Sequence, residues 1–95
     1  MTGSVRDINV RMEKMSAITV SAINNTTFVG VYDFKDGVDG RQWRDSIQPF
    51  GTLPIRLTSD QSLDNGYGTL LWHRDGSAPG WTESSLLHDG DTVQV

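Results

Sequence analysis

The chain has 95 residues, of which 36% are hydrophobic and 21% charged, with a net charge of −4 and no cysteine. That length suits one domain burying roughly two-thirds of the surface its unfolded chain exposes, and the composition is that of a globular sequence. The acidic balance disfavours nucleic-acid phosphates and anionic membranes, while the lack of thiols excludes disulfides, cysteine nucleophiles and cysteine-bound zinc.

Residues 1–15, "MTGSVRDINVRMEKM", carry three cations against two acids, a charge of +1 that leaves −5 on residues 16–95. Ile8, Val10 and Met12 alternate with Asn9 and Arg11, so the segment is expected as a first strand of the same domain, a frayed tail, or an arm that pairs with a neighbouring subunit in a homo-oligomer. It lacks the apolar run of a signal peptide, and no stretch approaches the roughly 18 apolar residues of a membrane span. A soluble protein is therefore expected, made in the cytoplasm by default, with its final compartment unknown.

Residues 16–95 read as a single β domain. Ile18, Val20 and Ala22 alternate with Thr19 and Ser21; Phe28, Gly30, Tyr32 and Phe34 follow, with Val29 and Val31 on the opposite face. Between them "NNTT", Asn24 to Thr27, suits a turn, because asparagine tolerates left-handed backbone angles and bonds its own backbone. Residues 17–34 are thus expected to form a central hairpin. The run "NNTTFVGVY" resembles hairpins of lectin-like and crystallin-like β-sandwiches over that hairpin alone, without the crystallin calcium signature, and no residue role is carried over.

Residues 35–52 show no clear strand and read as a long loop, a common place for a functional site. Within it Gly40 to Ile47, with Trp43 and Ile47 four apart, predicts one short helical turn. Leu53, Ile55 and Leu57 predict a strand whose Pro54 belongs at an edge or near the strand's start. Tyr67 to His73 is another strand, Thr82 to Leu87 a second helical turn capped by Thr82, and "DTVQV" a last strand. Asp-Gly and Asn-Gly dipeptides punctuate these runs at the intervals of sandwiches and barrels. The expected fold is all-β, a small antiparallel β-sandwich or barrel of about six or seven strands with at most one or two short helical turns.

For chemistry, Asp33, Asp36 and Asp39 recur every third residue in a glycine-rich stretch and are candidate calcium ligands, although the spacing is not that of an EF-hand loop. Otherwise no cofactor is expected. His73 and His88 compose a metal site only if the fold joins them, and Ser84 lies four residues before His88. No G-x-S-x-G elbow, phosphate loop or dinucleotide fingerprint occurs, so the protein is not expected to be an enzyme.

The tryptophans carry the remaining signal. Trp72 shares strand periodicity with Leu70 and reads as core, whereas Trp43 and Trp81 stand among polar residues. An exposed indole beside arginine and aspartate suits either a sugar face or a protein hot spot. Trp43, Arg44, Arg74, Asp75 and Trp81 are the expected ligand-binding residues of a lectin-like carbohydrate-binding module. The alternative is an assembly subunit or small protein inhibitor that pairs through its N-terminal arm and edge strands.

Overall fold

Period-two burial continues into three dimensions. In β1 (Ala17–Ile23) Ile18, Val20 and Ala22 are buried, and in β2 (Gly30–Asp36) Gly30, Tyr32, Phe34 and Asp36 are, so each strand turns one complete face inward. The structure, a computed structural model, describes residues 16–60 and 66–95; the expected N-terminal arm lies outside the described residues. The remaining strands are β3 (Gln42–Ile47), β4 (Thr52–Thr58), β5 (Gly68–Arg74), β6 (Thr82–Leu87) and β7 (Thr92–Gln94).

The strands form a three-stranded sheet in the order β4-β1-β7 and a four-stranded sheet in the order β3-β2-β5-β6. The fold is therefore the expected all-β sandwich, antiparallel except for the parallel pairing of β1 with β7. Its core is built from the inward faces of both sheets, with Ile18, Val20 and Leu57 from one and Tyr32, Phe34 and Leu70 from the other all fully or almost fully buried. Gly68 lets the sheets meet closely, because a Cβ there would stand 2.7 Å from Ile18 Cδ1.

Three expectations are corrected. Residues 17–34 do not form a hairpin: β1 pairs with β4 and β7 and β2 with β3 and β5, so the two strands lie in opposite sheets. Two strands with equally apolar inward faces bury more surface by facing each other than by pairing edge to edge. The crossing is organised by Asn24, which is fully buried. Its Nδ2 donates to the carbonyls of Phe28, Ile47 and Gln48 at 2.7, 3.0 and 3.2 Å, and its Oδ1 accepts from the Thr26 hydroxyl. The supposed turn asparagine thus joins the β1–β2 and β3–β4 connections.

Secondly, Gly40 to Ile47 contains strand β3, not a helical turn, so Trp43 belongs to a strand and residues 35–52 are not one long loop. Thirdly, Thr82 to Leu87 is strand β6. Both are edge strands made largely of polar residues, and sheet pairing overrides their weak local pattern.

Pro54 sits where expected, in edge strand β4. Thr58 N donates to Asp36 Oδ2 and the Arg56 carbonyl accepts from Arg41, both on the side away from β1. By alternation the missing N–H of Pro54 falls on that same side and removes no ladder bond. Two other edges are also blunted: β7 has three residues, and β6 is bulged against β5, with Leu86 at φ 56°.

Candidate functional site

The outer face of the four-stranded sheet is assembled by register. Asp33 on β2 stands opposite Arg44 on β3 and His73 on β5. Leu71 pairs with Glu83 and Trp72 with Thr82, so the next position brings Trp81 level with His73. Arg44, Asp33, His73 and Trp81 therefore cross the sheet as one row, with Gln42, Lys35, Leu71 and Glu83 as the row beside it.

Arg44 is held between two carboxylates: its Nη1 donates to Asp33 Oδ1 at 2.8 Å and its Nη2 to Asp75 Oδ2. The hydrogen bond and charge of Asp33, followed by those of Asp75, raise the pKa of the guanidinium above its ordinary value. The pair is exposed, so its contribution is orientation of the guanidinium plane more than stability.

Trp81 is positioned by the loop from Asp75 to Gly80. Asp75 N bonds the Val31 carbonyl at 2.9 Å, the Ser77 hydroxyl donates to the Arg74 carbonyl at 2.6 Å, and His73 Nδ1 lies 3.2 Å from the Gly80 carbonyl. Gly80 adopts φ 109°, a conformation that glycine alone reaches easily, immediately before the tryptophan. Trp81 is 43% exposed, with the Lys35 ammonium 6.0 Å from its ring centre, at the outer limit of a cation–π contact.

Of the residues expected to bind ligand, Arg44, Asp75 and Trp81 share this face, whereas Trp43 and Arg74 face the interior. Trp43 stacks on Phe34, with ring centres 5.5 Å apart, and Phe34 stacks on Tyr32 at the same separation. The Arg41 guanidinium lies over Trp43 at 4.6 Å and that of Arg74 over Tyr32 at 5.6 Å. Three aromatic rings thus form a stack with a cation at each end, each ring pair adding about 0.5–1.5 kcal/mol beyond its buried area. Trp43 also borders a cleft of about 230 Å³ between β3 and β4, lined in addition by Arg41, Asp45, Leu53 and Ile55. Burial raises the Tyr32 phenol above its usual pKa, with the Arg74 charge opposing it.

The aspartates that the spacing set side by side have separate partners. Asp33 pairs with Arg44; Asp36 is fully buried, with Oδ1 accepting from the amides of Val38 and Asp39 and Oδ2 from that of Thr58, which ties the β2–β3 turn to the opposite sheet. Asp39 accepts from the Arg41 amide and the Thr58 hydroxyl, and these bonds, in that order of size, lower its carboxyl pKa. Among the described residues no group of three or more histidine or acidic side chains converges as metal ligands. His73 and His88 occupy opposite ends of the β5–β6 ladder, and His88 packs edge-on against Tyr67 at 4.5 Å. Ser84 lies within β6 opposite Leu70, so it shares no helical face with His88.

Sequence reasoning left Lys35 and His73 out of the binding set and read Asp33 as a candidate calcium ligand. The strands of Asp33 and His73 were legible, Lys35 fell at the start of the supposed loop, and which strands lie side by side was not legible. No helix among the described residues is long and apolar enough to cross a membrane. Set against known families, curated proteins and solved structures, the chain matches no family model, no curated protein and no solved structure, so the side chains themselves carry the functional argument.

Proposed function

We propose that the protein is a non-enzymatic binding module that takes a neutral glycan on the outer face of its four-stranded sheet. The observation that carries this reading is the partly exposed Trp81 ring at the end of a row of fixed hydrogen-bonding groups, Arg44, Asp33 and His73. A sugar ring offers an apolar face to an indole and hydroxyls to such neighbours. Charge within the patch nearly cancels, since Lys35 and Arg44 face Asp33, Asp75 and Glu83, which favours a neutral ligand over a polyanion. Arg44 is already oriented by its two carboxylates, so little side-chain entropy is lost when it bonds a hydroxyl.

The test is a panel of neutral oligosaccharides followed by thermal shift and by Trp81 fluorescence. A ligand at about a hundred times its Kd should stabilise the fold by about 2.7 kcal/mol, and Trp81→Ala should abolish the shift while leaving the free protein folded. A panel that neither raises the Tm nor changes the fluorescence removes the reading.

A second reading, strand pairing between copies, draws support from β3. Its Gln42 and Arg44 turn their peptide groups away from β2, and the strand has neither proline nor bulge. Gln42→Pro, which removes an outward amide of this edge and no bond to β2, should then lower the mass measured by light scattering.

A further inference from the structure

At one end of the sandwich the β1–β2 and β3–β4 connections stand together. Residues 24–29, "NNTTFV", and 48–51, "QPFG", contain no titratable side chain, although residues 16–95 together carry −5. The two loops are fastened to each other: Asn24 Nδ2 bonds carbonyls in both, Asn24 N donates to the Gly51 carbonyl at 3.1 Å, and Phe50 N to the Thr26 carbonyl at 3.2 Å. On this buried support Phe28 is 73% exposed, Phe50 62% and Val29 48%. Phe50 moreover holds φ 55°, a left-handed conformation uncommon for an aromatic residue. A fully satisfied polar hub therefore fixes backbone whose apolar side chains are left in water, the reverse of what stability alone would select.

We propose that this end is a docking surface for an uncharged, zwitterionic phospholipid bilayer, which Phe28, Val29 and Phe50 enter. Three residues from two loop tips cannot supply the roughly 800 Å² per partner of a stable protein interface, so tip-to-tip pairing of two copies falls short. The cleft beside Trp43 is a poor receptor for the same tip in a second copy, because Arg41 and Asp45 flank it. A bilayer needs no matching pocket, and the headgroup boundary accepts aromatic rings from a rigid support. The two loops carry no cation of their own, and the one guanidinium that reaches them, that of Arg74, is engaged with the Thr26 hydroxyl at 3.1 Å and with the Tyr32 ring, so on an acidic body neutral headgroups are favoured over anionic ones.

The experiment is co-sedimentation of the full chain with phosphatidylcholine vesicles, repeated with vesicles containing phosphatidylserine, for the native protein, Phe28→Ser and Phe28→Ser/Phe50→Asn. Asparagine accepts the left-handed backbone, and unchanged circular dichroism would establish that both variants fold; should the double variant unfold, Phe28→Ser alone decides. The expected result is binding to phosphatidylcholine that falls by about tenfold in Phe28→Ser and further in the double variant, and that phosphatidylserine weakens at low salt. The proposal is overturned by absence of binding at millimolar lipid, by binding that both substitutions leave intact, by binding that requires phosphatidylserine, or by an oligomer that Phe28→Ser dissociates, since the tip would then be buried in a second copy.

Discussion

Trp43 and Trp81 are the same residue type beside the same sheet, yet one packs inward against the core and the other is presented to solvent. Trp43 packs against Phe34 and the Arg41 guanidinium and meets solvent only along the cleft between β3 and β4. Trp81 extends from the end of a glycine-bounded loop, with one distant ammonium beside it. The difference lies in which way each side chain leaves the sheet. An inward indole extends the aromatic core to the edge of the sandwich, whereas an outward one stands in a row of polar groups and remains available.

That contrast breaks most severely at its root. Phe34→Ala removes the middle ring of the inner stack and should cost about 3–5 kcal/mol, read from the midpoint of urea unfolding. The Trp81 surface should be unaffected until the protein unfolds, so loss of ligand binding in the folded variant would show that the two faces are coupled. A finer comparison uses acrylamide quenching of Trp43→Phe and Trp81→Phe. Removing Trp81 should eliminate most of the quenchable emission, and removing Trp43 should leave it; the opposite pattern would exchange the roles assigned to the two rings.

The smallest expected effect concerns pH. Asp39 has its folded-state pKa lowered below the ordinary 3.8 by the Arg41 amide and the Thr58 hydroxyl. The unfolded chain takes up the proton first as pH falls, so the stabilisation is present above the ordinary value and is lost on acidification through the lower folded one. Urea midpoints measured below about pH 4 should therefore decline less steeply in Asp39→Asn than in the native protein. Equal slopes would mean that these hydrogen bonds do not distinguish the charged form.

Much of this was legible in the sequence. Period-two alternation located the strands around Val20, Tyr32, Ile55 and Leu70, because each buries one face and solvates the other. It failed at β3 and β6, where the runs QWRDSI and TESSLL bury little beyond Ile47 and Leu87 and leave no apolar rhythm to read. Alternation is also silent about partners, and so β1 and β2, consecutive and equally apolar, read as a hairpin. For the candidate site, Arg44, Asp75 and Trp81 were identifiable as polar-loop residues beside an indole. The row that joins them depends on which strands are neighbours, and Asp36 looked like a free carboxylate because a buried turn anchor and an exposed ligand share the same Asp-Gly signature.

The placement of β1 has a consequence for how the chain matures. This strand lies at the centre of the three-stranded sheet, yet its partners arrive late: Ile18 waits for Leu57, and Ala22 for Val93. During synthesis the four-stranded sheet can close through β6 while β1 still has one unpaired edge, formed by the peptide groups of Thr19, Ser21 and Ile23. Such an interval exposes the nascent chain to mispairing, and it ends only when residues 92–94 emerge and β7 completes the sheet.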